Sequence, residues 1–195
     1  MIKYLGLEDI ISSINQSLEN KNYIAALALA LTIPDKCGKI EYPNLGVGER
    51  YAAWYNAWCH SPDMDPYETQ LPDADGSVIY QLRCAILHDN STELKYTNLE
   101  NKNKLDEFEL EITDHYDGVY SIFASEIVKD EEIQIINNKE SQIINNKERR
   151  HMRIRIIDLC KMICYATGIY YEKNKEKVEQ STNIKVVDYR HLLKS

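Results

Sequence analysis

The stretch Ser77–Asn90 places the strongest constraint on how this 195-residue chain can fold. Apolar side chains cover most of the circumference of the helix that it would form, which predicts a buried central helix. The same stretch carries Arg83 and, five positions later, His88. Burying an unpaired guanidinium is costly, so we interpret the rest of the chain by what it places around these two side chains.

Composition limits the classes of protein to which the chain can belong. A net charge of −8 and a pI near 5.2 argue against a protein that coats nucleic acid, although a small basic cleft stays compatible with them. The odd number of cysteines, five, and their apolar surroundings predict reduced, buried thiols. The first residues show no charged region followed by an apolar signal core, and the longest apolar run, Tyr23–Leu31, is too short to span a bilayer. We therefore expect a cytoplasmic protein with no membrane partner.

Apolar periodicity predicts three helices before the central one. They cover Leu7–Leu18, Tyr23–Leu31 and Glu49–Cys59, and we interpret Ile33–Gly48, with its prolines and glycines, as a loop. The third helix carries four large aromatic residues, which are typical of a core or of a dimer face and less so of a base-stacking platform: Tyr51, Trp54, Tyr55 and Trp58. For a dimer face we favour the central helix, helped by Trp54 and Trp58.

A β insertion follows the central helix. Phe108, Leu110 and Ile112 alternate with glutamates, which predicts a half-buried strand. We expect a turn at Asp114–Gly118, a returning hairpin strand at Val119–Ile127 and a third strand at Glu132–Ile136. The sequence QIINNKE occurs at both 134–140 and 142–148, and we interpret this tandem repeat as a duplicated strand end or loop without function.

A long helix is predicted over Arg149–Tyr171, followed by a polar tail with one short strand at Ile184–Val187. Its first turns hold four arginines, an unfavourable charge for a helix N-terminus: Arg149, Arg150, Arg153 and Arg155. Either an anionic partner or, as we favour, the acidic hairpin neutralises them. The predicted fold is mainly α: a bundle of about five helices, 7–91 and 149–171, with a small antiparallel hairpin or meander inserted at 105–147, in a single domain over 1–195.

Two metal sites can be considered, and neither is favoured. Cys160 and Cys164 lie one helical turn apart and could bind a metal with His151 or His60, but packing in the core explains them better. Four aspartates in a proline-rich loop could serve a metal-dependent enzyme, but turn and cap roles suffice for them: Asp63, Asp65, Asp73 and Asp75. We expect neither a metal nor a cofactor.

Arg83 and His88 are the candidate catalytic residues. A guanidinium neutralises phosphate through its fixed donor fork, and an imidazole moves a proton near pH 7. Together they suffice to cleave RNA without metal, but a structural arginine–carboxylate pair and a helix-terminal histidine would explain them too. An α-helix turns about 100° per residue, so the two side chains would point about 140° apart. They converge if Arg83 bends around the helix, if the helix end unwinds, or if a second subunit supplies one of them.

The residues around this pair resemble the HEPN superfamily, helical bundles marked by an arginine and, four to six residues later, a histidine. Arg83 and His88 fit with four intervening residues, and Ile33–Gly38, Gly48–Tyr51 and Tyr80–Arg83 are also similar. The resemblance covers 7–91 and 149–171. It implies a homodimer with the motif helices facing each other, and a metal-independent endoribonuclease of a toxin–antitoxin or antiphage system with a cognate antitoxin or partner protein.

In that family Arg83 would bind and polarise the phosphate and His88 would be the acid and base. Active members often have a polar residue directly after the arginine, where this chain has Cys84. Some members are inactive. The alternative function is therefore a catalytically silent HEPN-like module that binds or scaffolds a protein or nucleotide partner.

Overall fold

The computed structural model describes the backbone of residues 2–60, 74–89, 107–113, 123–136, 140–181 and 184–187. Within these ranges it contains six α-helices, one π turn and five strands. The helices are α1 (Leu7–Glu19), α2 (Tyr23–Ala30), α3 (Ile33–Glu41), α4 (Val47–Trp58), α5 (Gly76–Cys84) and α6 (Ile156–Ser181); the strands are β1 (Ile2–Tyr4), β2 (Glu107–Glu111), β3 (Phe123–Ile136), β4 (Glu140–Arg155) and β5 (Lys185–Val187). The prediction of a mainly helical protein with a β insertion before the last long helix is confirmed.

Helices α1 and α2 form where periodicity predicts them. The apolar stripe of α1 is buried through Leu7, Ile10 and Ile14. Lys21, with a φ of 56°, reverses the chain between the two helices. This short connection allows α2 to fold back on α1 and to bury Ala26, Leu27 and Ala30.

The segment interpreted as a loop over Ile33–Gly48 is instead mostly helix α3, so that prediction is wrong. Pro34 lies in the first turn, where no intrahelical N–H bond is required of it. Gly38 is buried, and a Cβ atom on it would lie 2.5 Å from the carbonyl oxygen of Arg50 in α4. The glycine therefore permits close approach of two helices and does not mark a turn.

Helix α4 supplies aromatic side chains to the core. Tyr51, Trp54 and Tyr55 are buried, as the core interpretation predicts. The ring of Tyr170 in α6 packs edge-on against Trp54 at 5.6 Å and against Trp58 at 5.1 Å between centroids. Trp54 is thus used inside one chain, which corrects its assignment to a dimer face.

The β insertion is a three-stranded mixed sheet in the order β2–β4–β3. The strand predicted around Phe108 is confirmed as β2, but it pairs in parallel with β4 and is no part of a hairpin with the strand that follows it. The antiparallel hairpin is β3–β4, and Gln134 of the first QIINNKE copy pairs with Gln142 of the second. The predicted third strand is the end of β3, and the predicted turn at Asp114–Gly118 lies outside the described residues.

The helix predicted over Arg149–Tyr171 begins seven residues later, because β4 continues to Arg155. Met152 and Ile154 are buried and Arg153 between them is exposed, which is the two-residue period of a strand. The arginine cluster therefore lies on a strand and not at a helix N-terminus. Arg153 contacts Glu109 of β2 with 3.6 Å between Nε and Oε2, so a strand carboxylate faces this one arginine of the cluster, whereas Arg155 contacts Asp158 of α6 at 3.1 Å.

The two ends of the described chain meet in a second, two-stranded sheet. The strand predicted at Ile184–Val187 is confirmed as β5, and it pairs antiparallel with β1, which the sequence did not predict. Leu5 N–H also donates to the carbonyl of Ile184 at 2.9 Å. Among the residues that the structure describes, no helix combines the length and the apolar character that crossing a membrane requires.

Candidate functional site

Helix α5 is held firmly at its start, which fixes the position of the side chains further along it. Asp75 Oδ1 accepts hydrogen bonds from the backbone N–H groups of Ser77 at 2.9 Å and Val78 at 3.0 Å, which makes Asp75 the N-cap of this helix. The N–H of Gly76 donates to Asn56 Oδ1 of α4 at 2.6 Å. Buried Ile79 and Leu82 complete the attachment of α5 to the core.

The regular α-helix ends at Cys84, and the chain continues as one π turn over Ala85–Asp89. A π turn bonds residue i to residue i+5, so side chains five positions apart come to lie near each other. Arg83 Nη1 and His88 Nε2 are 2.8 Å apart. Of the three routes to convergence, local unwinding of the helix end is therefore the one found, within a single chain.

The contact fixes which ring nitrogen of the histidine accepts a hydrogen bond. Arginine can only donate hydrogen bonds, so Nε2 of His88 must accept and the ring proton must be on Nδ1. A doubly protonated imidazole would have no lone pair for this bond. His88 is exposed and Arg83 is half-buried, so the pair can be reached from solvent.

The guanidinium of Arg83 lies in a partly aromatic environment. Its Cζ is 6.0 Å from the centroid of the Tyr80 ring, and Nη1 is 3.9 Å from Cys84 Sγ. Tyr80 packs in turn on buried Tyr51, with 5.3 Å between ring centroids. Within the described side chains no carboxylate pairs with Arg83, and its Nε is buried without a hydrogen-bond partner. The described side chains therefore do not form the arginine–carboxylate pair that was the structural alternative for Arg83.

Two tyrosines near the pair remain neutral. Burial raises the pKa of Tyr51 well above its ordinary value; Cys59 adds to the shift and the cation of Arg83 opposes it. Burial is also the main cause of the raised pKa of Tyr80, and the neighbouring Cys84 is the next largest cause. Both phenols are therefore hydrogen-bond donors beside the guanidinium. Tyr80 was not among the predicted site residues, although its position three residues before Arg83 on one helix face would have indicated it.

A second arginine, Arg50, has a structural role in the same region. Its Nε and Nη2 lie 2.9 Å and 2.8 Å from Oδ1 of Asp35. The ion pair joins α3 to α4, and both side chains are at least half-buried. Asp35 neutralises the guanidinium of Arg50. Of the two arginines, Arg50 and Arg83, it is therefore Arg83 whose charge is available to a ligand.

The cysteines considered as metal ligands are core residues. Cys160 and Cys164 are buried free thiols, and burial raises their pKa values to about 12 and about 11. His151 lies instead 3.9 Å from Glu109. In the described part of the chain, no three side chains of histidine, cysteine, aspartate or glutamate gather as a metal site. Asp75 is a helix cap, and the other aspartates considered, Asp63, Asp65 and Asp73, lie outside the described residues.

Comparison with known proteins gives no relative for this chain. No protein-family model matches it, and no curated protein or solved structure matches it either. The resemblance to the HEPN superfamily thus stays a prediction.

Proposed function

We propose that this protein is a metal-independent endoribonuclease of HEPN type in which Arg83 and His88 act on one phosphodiester. The observation that carries the proposal is the 2.8 Å contact between Arg83 Nη1 and His88 Nε2 at an accessible helix end. The contact brings a permanent cation and an imidazole within reach of the same phosphodiester. These are the two groups that transesterification of RNA needs when no metal takes part.

The chemistry follows from the donor and acceptor roles. An incoming phosphate takes the guanidinium donors of Arg83, and the Nε2 lone pair of His88 is then free to accept the proton of the ribose 2′-OH. The 2′-oxygen bonds to phosphorus, the bond from phosphorus to the 5′-oxygen breaks, and a protonated imidazole donates to that leaving oxygen. The products are a 2′,3′-cyclic phosphate and a 5′-hydroxyl.

A homodimer is part of the same proposal. One histidine cannot be base and acid at the same moment, and a second copy of the site across a two-fold axis would supply the acid. We place the activity in the cytoplasm, where the free thiols stay reduced. Such a nuclease would act as a toxin or in antiphage defence, together with a cognate antitoxin or another partner protein.

The test is cleavage of end-labelled RNA in EDTA. General acid–base catalysis contributes about 10²- to 10⁴-fold, so His88→Ala should lower the rate by at least about 100-fold. Arg83→Ala should do the same, because the phosphate charge is then no longer neutralised. His60→Ala is the matched control, since His60 follows the C-cap of α4 and should leave the rate unchanged.

The products and the oligomeric state complete the test. Cyclic phosphate ends that form in EDTA and disappear in both site variants would support the nuclease. A folded, dimeric wild type that leaves RNA intact would contradict it and would favour the inactive binding or scaffold module. RNA or nucleotide affinity of the wild type against Arg83→Ala, followed by a pull-down for a protein partner, would then be measured. Light scattering after gel filtration determines whether the dimer exists.

A further inference from the structure

Cys84 differs from the other cysteines in its exposure. Cys37 and Cys160 are 0% exposed, and Cys59 and Cys164 are 5% and 8% exposed, whereas Cys84 is only half-buried. Burial also raises the pKa of each of these four thiols well above its ordinary value. Reactivity of cysteine follows thiolate content and access, so the four core thiols are inert in the folded protein.

The surroundings of Cys84 are those of a reactive thiol. Its Sγ lies 3.9 Å from Nη1 of Arg83, and Cys84 contributes to the raised pKa of the Tyr80 phenol. The guanidinium adjoins the sulfur, and partial exposure of Cys84 admits a small reagent. The same Nη1 contacts His88, so any change at the sulfur acts directly on the candidate site.

Two buried donors near Cys84 have no acceptor in the described structure. They are the hydroxyl of Tyr51, a residue that is 0% exposed, and Nε of Arg83. Tyr51 packs against Tyr80, which precedes Cys84 by one helical turn, and the cation of Arg83 acts on its phenol. Buried donors are normally satisfied, so these two orphan donors indicate that an oxygen-bearing group would be accepted beside them. An oxygen atom added to the Cys84 sulfur would supply the missing acceptor.

We propose that Cys84 is a peroxide-sensitive modification site that switches off the Arg83–His88 pair. A peroxide oxidises the thiol to a sulfenic acid: the S–O bond forms, the peroxide O–O bond breaks, and the leaving oxygen takes the thiol proton as water or an alcohol. A second equivalent gives a sulfinate, whose negative charge pairs with the guanidinium and competes with phosphate for it. The effect on RNA rests on the proposed function, but the chemistry at the sulfur does not.

The first test follows the thiols themselves. Native wild-type protein is treated with limiting iodoacetamide, and the modified peptides are quantified by mass spectrometry. Cys84 should react at least about ten times faster than each core cysteine, and Arg83→Gln should slow it about tenfold while Arg83→Lys retains most of the rate. A core cysteine that reacts first, or an Arg83→Gln variant that is folded by circular dichroism and reacts as fast as wild type, would overturn the proposal.

The second test uses hydrogen peroxide with dimedone, which traps sulfenic acids. The adduct should form on Cys84, and Tyr51→Phe, which removes one orphan donor, should lower its yield several-fold. Peroxide should abolish RNA cleavage by wild type, reversibly with dithiothreitol at the sulfenic stage, whereas Cys84→Ser should keep its own untreated rate. Oxidation of Cys84 that leaves cleavage intact refutes the switch. A wild type that cleaves no RNA at all refutes the nuclease, while the thiol measurements still decide whether Cys84 is the modified residue.

Discussion

Replacing Gly38 by alanine should destabilise the protein, although alanine is the better helix former. Gly38 lies in α3, where a Cβ atom would meet the backbone carbonyl oxygen of Arg50 at 2.5 Å and its carbon at 2.9 Å. Ordinary contacts begin near 3.4 Å, so the two helices would have to separate by about 0.9 Å. The obstacle is backbone and not the mobile end of a side chain, so it cannot be relieved by a rotamer change.

The expected size follows from two opposing terms. Alanine in place of glycine inside a helix contributes about 1 kcal/mol, and overpacking a close contact costs about 1–3 kcal/mol. We expect a net loss of up to about 2 kcal/mol in the free energy of unfolding. Gly168 in α6 provides the matched control, because a Cβ atom there meets nothing within 4 Å. Gly168→Ala should therefore stabilise the protein by about 0.5–1 kcal/mol.

Urea denaturation and thermal melting followed by circular dichroism measure both variants. For a chain of this size each kcal/mol shifts the melting temperature by roughly 2–4 °C, so the two alanines should shift it in opposite directions. Equal stabilisation by both substitutions would refute the close approach of α3 and α4. Position 38 would then have no steric requirement for glycine.

Three further outcomes are expected. Asp75→Ala should lower the free energy of unfolding by about 1 kcal/mol through loss of the α5 cap, Asp75→Asn should retain most of it, and equal stabilities in urea would contradict the cap. Burial raises the pKa of Cys164 from 9.0 to about 11, so the unfolded chain loses this proton first. The stability that this thiol contributes is complete below pH 9 and falls as the pH rises towards 11. The free energy of unfolding should therefore fall less steeply with pH in Cys164→Ala. An unchanged slope would argue against a buried neutral thiol. Nitrogen NMR should find the His88 proton on Nδ1 near neutral pH and a changed tautomer population in Arg83→Ala, whereas protonated Nε2 in the wild type would contradict the contact.

Elements with a local signal were predictable. Helices α1, α2 and α4 and strand β2 follow from apolar periodicity within one short segment, and the cap at Asp75 follows from its own side chain. The glycine at position 38 shows where such reasoning fails. Glycine breaks helices on average, but in α3 its role depends on Arg50, twelve residues further along the chain and on another helix.

The prediction of the boundary between β4 and α6 is wrong for the same physical reason. Residues 151–155 are a strand because β2, more than forty residues earlier, pairs with them in parallel. The sequence around Arg153 is compatible with a helix when it is read alone. Pairing across the sheet and burial of Met152 and Ile154 decide the outcome, and no window of local periodicity contains that partner.

The candidate site divides in the same way. An arginine and a histidine five positions apart on one apolar helix were evident from the sequence, and its prediction of five buried thiols holds for four of them but is wrong for half-buried Cys84. The π turn at the end of this helix depends on tertiary packing, and because of it Arg83 meets His88 instead of pointing about 140° away from it. The sequence gives the spacing of two residues directly. The angle between their side chains depends on whether the turn that joins them is α or π, which the packing around α5 selects.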